Sequence, residues 1–453
     1  MAAQDSPGPG WRSGAADGSV AVGAQPARLD FSPLDEAVHI LDSPEEPWTV
    51  QVEVRVAGQL DEARLRAAVH AGLARHSLAR GRALPARPSD RVMTWEITEV
   101  PDIDALSAVD LADDPAVSAH RAWLYSNGVP LEASPPLRVW LVRRPAGDLV
   151  MVSAHHAAFD GVGTLRVLQS ISRAYAGEAD PDPLASLPEA RDIAAHLATD
   201  EPALRSRRRR ALAGKALDLV DPPARLGAER PSGGPGYGLR HLCLLPPPAG
   251  GRATVNDVLV AALNMAVDGW NAEHGVRTRR VGVLVPVNLR PEAWRTDVVT
   301  NFVVQARVTT GPADRRSPQR VLDRVVEQTR RIKEGEGAAL FEVLRIGPRL
   351  PLWIKRRLPD VLALTGNRLV DTAVLSNLGR VADPPSFGLG GPAEMWFSAP
   401  TRMPCGLSVG SVTVGGRLHL AFRYRKALWG DAAADRFAER FAVELGVVAR
   451  EAS

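Results

Sequence analysis

The chain has 453 residues, 45% of them hydrophobic, and its 55 Lys and Arg against 52 Asp and Glu leave a formal net charge of +3. That length outgrows one ordinary core and points to two domains or two halves of one large unit. Near-balanced charge excludes nucleic acid as the expected partner, and no apolar run is long enough to span a bilayer. Cys243 and Cys405 lie far apart without metal-like spacing, so they form no disulfide framework and fit a reducing cytoplasm, the expected location.

Residues 1–29 are dominated by Gly, Ala, Ser and Pro, without the basic start and apolar segment of a secretion signal, and read as a disordered tail. An N-terminal lobe is expected over 30–180. Within it, 48–56 alternates apolar and polar residues and predicts a strand that Gly58 ends. A helix follows from residue 60, with Asp61 near its start and Leu65, Val69 and Leu73 along one face. Strands are predicted over 92–97 and 137–143. Pro145-Ala146-Gly147-Asp148 then forms a hairpin connection into the apolar run Leu149-Val150-Met151-Val152.

That run leads into Ser153-Ala154-His155-His156-Ala157-Ala158-Phe159-Asp160-Gly161, followed by a helix through Leu165, Leu168 and Ile171. Neighbouring side chains on a strand point to opposite faces, so His155 and His156 do different work. A neutral imidazole is the usual proton acceptor near pH 7. Asp160 suits a buried hydrogen-bonding or ion-pairing brace, and Gly161 a tight turn. No metal is expected, because adjacent strand residues diverge and neither cysteine is near. Taken alone, such a histidine pair is most often core packing. The whole pattern, His-His-x-x-x-Asp-Gly after an apolar strand, resembles the signature of the acyltransferase superfamily that includes chloramphenicol acetyltransferase, nonribosomal peptide condensation domains and bacterial wax ester synthases. Two further stretches share the likeness: Arg75-His76-Ser77, where His76 is read as structural, and Pro135-Pro136-Leu137 ahead of the third strand.

Residues 181–236 read as a linker region rich in Pro, Asp and Arg. It contains the basic run Arg205-Ser206-Arg207-Arg208-Arg209-Arg210, either a solvated face or a docking patch for an acidic carrier or coenzyme phosphates. A C-terminal lobe is expected over 237–453. Thr254 is a plausible N-cap of a long helix, with Asp257 at its third position. Residues 281–291 form a buried strand ending in a polar corner, Asn288-Leu289-Arg290. In the resembling families an Arg at this corner pairs with the signature Asp, which makes Arg290 the expected partner of Asp160. A carboxylate in an apolar core needs such a donor. Asn301-Phe302 resembles a Gly-Asn-aromatic element of condensation domains, with Thr300 in place of the Gly. Ser376-Asn377-Leu378-Gly379 resembles a strand end of wax ester synthases, so Ser376 and Asn377 are either donors facing the reacting centre or plain turn residues. Gly406-Leu407-Ser408-Val409-Gly410 matches a hydrolase nucleophile pattern, but alternation continues to Val414 without the required helix. Ser408 therefore reads as a strand residue in a hairpin through Gly415-Gly416, and a final helix spans 431 to about 448.

The resemblance implies an α/β, two-lobed chloramphenicol acetyltransferase-like fold, each lobe a mixed sheet with packed helices, and a tunnel where the lobes meet. It implies His156 as general base, with His155, Asp160, Gly161 and Arg290 supporting the site. No bound cofactor is implied; the co-substrate is an acyl thioester, carried by the phosphopantetheine of a carrier protein or by coenzyme A, and the acceptor is an amine or alcohol. A free-standing, monomeric condensation-type enzyme of bacterial secondary metabolism is expected. The alternatives are a coenzyme A-dependent O-acyltransferase of the wax ester synthase type and a non-catalytic homologue that binds a carrier protein or small molecule.

Overall fold

The computed structural model describes residues 27–452 apart from 185–186, 198–205, 207–208, 210–216, 230–232, 249–250, 252, 346 and 392–393. Most of the expected tail, and Arg205, Arg207, Arg208 and Arg210 of the basic run, lie outside the described residues. Residues 27–29 of that tail do not match the expectation: β1 (Ala27–Asp30) pairs antiparallel with β4 (Thr94–Ile97), which also pairs with β3 (Gly81–Ala83). This small sheet leads into α1 (Pro33–Leu41), whose N-cap Ser32 and Asp35 form a reciprocal capping box.

The N-terminal lobe is built on β2 (Thr49–Arg55), β5 (Leu106–Asp110), β6 (Leu137–Arg143) and β7 (Leu149–His155), all but β5 almost wholly buried. Val50, Val52 and Val54 turn one face of β2 into a core shared with α2 (Glu62–Ala74) and α4 (Gly161–Ala176). The opposite face of the sheet packs Trp140, Leu149 and Met151 against α3 (Asp114–Ser126). Asp61 caps α2 by accepting from the Arg64 N–H at 2.7 Å.

The C-terminal lobe holds a second mixed sheet in the order β10-β9-β11-β13-β14-β8: β8 (Tyr237–Leu244), β9 (Val281–Asn288), β10 (Val303–Thr310), β11 (Ala373–Arg380), β13 (Leu407–Val414) and β14 (Arg417–Arg425). Its helices α5 (Val255–Glu273), α6 (Pro318–Arg331) and the last helix of the chain, α8 (Asp431–Ala452), which runs past the expected end near 448, cover one face; α7 (Gly337–Leu344) packs on β10. The capping box of Thr254 and Asp257 opens α5.

One strand crosses the expected division of the chain. β12 (Glu394–Ser398), from the stretch assigned to the C-terminal lobe, pairs antiparallel with β2 and completes the N-terminal sheet as β12-β2-β7-β6-β5. Phe397 and Met395 enter the N-terminal core, while Trp396 stacks on His241 at 4.4 Å and meets His419 edge-on at 5.5 Å. β12 lies so close to β13 that a Cβ on Gly410 would stand 2.0 Å from the Phe397 carbonyl oxygen. The second glycine of the hydrolase-like pattern thus serves backbone contact between the lobes, and Ser408 is a buried strand residue.

His76 is buried, with Nε2 at 2.8 Å from Ser170 Oγ. Burial, reinforced by the Arg166 charge, pushes its pKa down to about 4. The folded chain therefore refuses a proton that the unfolded chain accepts near pH 6.5, and stability falls as pH drops from about 6.5 to 4. His76→Gln is expected to remove about 3 kcal/mol of that pH-dependent loss, read as a flatter denaturation midpoint between neutral and acid pH.

Candidate active site

β7 ends at His155, and the chain turns through Ala157, Ala158 and Phe159 before α4 begins. The two histidines separate as strand geometry requires. His155 accepts the Ala157 N–H at Nδ1 (3.1 Å) and presents Nε2 to Asp42 at 3.6 Å. Burial acts to raise the Asp42 carboxyl, but His155 and the Trp48 N–H, which donates at 2.7 Å, outweigh it and hold the group below its ordinary value. His155 thus fastens the end of β7 to the residue that follows α1.

His156 lies on the cavity side. Its backbone is held from two directions: its N–H donates to the Trp48 carbonyl at 2.8 Å, and its own carbonyl accepts from Asn301 Nδ2 at 3.2 Å. The ring nitrogen Nδ1 is 3.0 Å from the Phe159 carbonyl oxygen. A carbonyl only accepts, so Nδ1 carries the proton and Nε2 keeps its lone pair. Burial holds the imidazole below its ordinary pKa, against the opposing pull of the Asp160 carboxylate and the Phe159 carbonyl. At neutral pH the ring is a ready proton acceptor.

Asp160 and Arg290 are brought together from opposite lobes, 130 residues apart in sequence. Arg290 donates from Nη1 to Asp160 Oδ2 at 2.6 Å and from Nη2 to Oδ1 at 3.0 Å, with both side chains out of solvent. The carboxylate also accepts the N–H of Gly163 at 2.9 Å, as N-cap of α4, and the N–H of Phe302 at 2.9 Å. Arg290 spends its remaining donors on the carbonyls of Val298 and Thr300 and on Asn288 Oδ1. Each group is satisfied by the other and by the backbone, which suits a brace and leaves no lone pair for proton transfer.

A cavity of about 60 Å³, open to solvent, lies beside His156, lined on one side by Val50, Asp160, Gly161 and Val162 and on the other by Asn288, Gln305, Ser376 and Asn377, with Phe397 between the lobes. That space is wide enough for a few waters. Gly161 is required by contact: a Cβ there would fall 2.7 Å from Phe397 and 2.8 Å from Leu378, both on the cavity wall. Ser376 and Asn377 face the same cavity as His156, although Asn377 Oδ1 is engaged by the Gly379 N–H at 2.8 Å. Burial pushes the Cys405 thiol up to about 11, which disarms it as a nucleophile.

Gln305 escaped the sequence reading. It lies on the cavity face of β10, and its buried Oε1 has no protein partner. β10 alternates strictly between buried and half-buried positions, but Gln305 shares the half-buried side with Arg307 and Thr309, so alternation alone does not single it out. Such an unpaired amide can take a hydrogen bond from a bound ligand.

A family model described as Condensation domain matches residues 37–201. Two uncharacterized proteins, from two strains of Mycobacterium tuberculosis, are each 36% identical to the chain over 430 residues, spanning 90% of it and 97% of their own length. Among solved structures, the first condensation domain of the calcium-dependent antibiotic synthetase, in complex with a substrate analogue, superposes with a TM-score of 0.64 at 19% identity, covering 94% of this chain and 98% of its own. The SgcC5 protein from Streptomyces globisporus gives 0.61 at 19% identity, over 94% and 100%. The epimerization domain from the third module of tyrocidine synthetase B gives 0.60 at 16% identity, over 96% and 100%.

Proposed function

The chain belongs to the condensation-domain family, and on that premise we propose that it is a free-standing acyltransferase in which His156 acts as general base. An amine or hydroxyl acceptor enters the cavity and attacks the carbonyl carbon of an acyl thioester. His156 Nε2 takes the acceptor proton as the new C–N or C–O bond forms, and the tetrahedral intermediate collapses with cleavage of the C–S bond. The proton then passes to the departing thiolate, so the imidazole returns to its neutral form and no covalent enzyme intermediate is required.

The observation that carries this reading is the tautomer of His156: with Nδ1–H committed to the Phe159 carbonyl, the free lone pair is on Nε2 of a residue that lines the cavity. Charge developing on the thioester oxygen would be met by N–H groups at the start of α4, where Gly161 and Val162 line the wall, and by Ser376. Asp160 and Arg290 hold the histidine turn and β9 in register, and His155 fastens the strand behind it. The expected donor is an acyl thioester of a carrier protein or of coenzyme A, and the expected setting is bacterial secondary metabolism in the cytoplasm.

Purified protein offered acyl-coenzyme A and acyl-carrier donors, each with amine and alcohol acceptors, is expected to release free thiol and an amide or ester from one donor class. Binding of a donor without thiol release from either class would instead identify a non-catalytic binding protein.

A further inference from the structure

Among the described residues, fourteen large apolar side chains are exposed, and nine of them fall in two short segments, three within 217–220 and six within 350–364. The segments touch: Arg368 donates to the Leu219 carbonyl, and Arg225, just beyond the first, donates to the Val370 carbonyl at 3.1 Å. Trp353 is 57% exposed, Val220 83% and Leu364 85%, so these side chains protrude. The helix Leu358–Leu364, Leu-Pro-Asp-Val-Leu-Ala-Leu in sequence, buries none of its residues. An apolar helix in contact with water is unusual on a soluble surface and marks an interaction site.

The patch stands on a firm base. Leu352 is fully buried in the N-terminal core, its N–H donating to the Asp90 carbonyl at 2.8 Å, and buried Lys355 pairs with Glu36 at 2.6 Å. Trp353 and Ile354, between those two anchors, face outward. Around the apolar side chains, among the described residues, stand four exposed arginines, Arg349, Arg356, Arg357 and Arg368, against exposed Asp360 and half-exposed Asp221. Protruding Leu, Val and Ile with a Trp and a cationic rim match the chemistry of an interface between acyl chains and anionic headgroups.

We propose that this face, formed by 217–220 and 349–368, docks the protein on an anionic lipid bilayer. An acidic protein partner would meet the arginines, yet a non-obligate protein interface is on the whole no more apolar than ordinary surface, whereas this patch is concentrated hydrocarbon that a bilayer can bury. The proposal is independent of the acyl-transfer chemistry.

The test is co-sedimentation of the full chain with phosphatidylcholine vesicles with and without phosphatidylglycerol. Binding is expected only to the anionic vesicles and should weaken as salt rises. Arg356→Ala and Arg357→Ala should each weaken it about five-fold. Trp353→Ser with Leu364→Ser should weaken it at least about ten-fold, with an unchanged circular dichroism spectrum. Wild-type protein left in the supernatant at low salt, or variants that bind as well as wild type, would overturn the proposal. So would a dimer, seen by light scattering, that persists with vesicles present and dissolves on Leu364→Ser, or an acidic carrier protein that binds this face while vesicles do not.

Discussion

His156→Ala is expected to lower turnover by about 10²–10⁴-fold, the range a positioned general base supplies, while the denaturation midpoint stays near that of the wild type. The parts of His156 that hold the turn are its backbone N–H and carbonyl, bonded to Trp48 and Asn301, and an alanine keeps both. What the substitution removes is the ring, with its single hydrogen bond to Phe159 and its lone pair toward the cavity. Loss of thiol release with retained fold would separate chemistry from scaffolding. Acceptors that arrive already deprotonated, as an oxyanion, should be hurt least, since they bring no proton to be removed.

Asp160→Ala should have the opposite signature, a loss of about 4 kcal/mol of stability, the usual cost of stranding one member of a buried ion pair. Arg290 would be left without its counter-charge, the Gly163 and Phe302 N–H groups without their acceptor, and α4 without its cap. Activity should fall with it, because the same carboxylate fixes the turn that carries His156. Arg290→Met should destabilise comparably. The double variant Asp160→Ala with Arg290→Met is expected to lose less than the sum of the two, since no unpaired charge remains. Chemical denaturation of the four proteins provides the cycle. Strictly additive losses would mean that the pair is not coupled and that the brace lies elsewhere.

Features set by local chemistry were legible in the sequence. The caps at Asp61 and Thr254, the strand and turn around the histidines, and the hairpin through Gly415-Gly416 all depend on residues within a few positions of one another. The divergence of His155 and His156 follows from strand geometry alone. Pairing across the lobes was different. Nothing in spacing links Asp160 to Arg290; only the likeness to a known signature suggested it. β12 was not legible, because a five-residue strand carries little pattern and its register against β2 reaches across most of the chain. Ser408 could be cleared of a nucleophile's role from the alternation around it, but the reason for Gly410, the Phe397 carbonyl lying against it, exists only once the sheets meet. Gln305 was hidden for the same cause: an amide on a strand is unremarkable until the cavity in front of it is known.

The most direct test of His156 as the base is the pH dependence of kcat/KM for the wild type and for His156→Ala with one acyl thioester and one neutral alcohol acceptor. Because burial lowers the pKa of this ring, the wild-type rate should stay level as pH falls to about 6.5 and decline only below it, as the ring gains its proton. In the variant both the rate and that acid limb should disappear. A variant that turns over near the wild-type rate, or that keeps the same acid limb, would show that the proton is taken by another group.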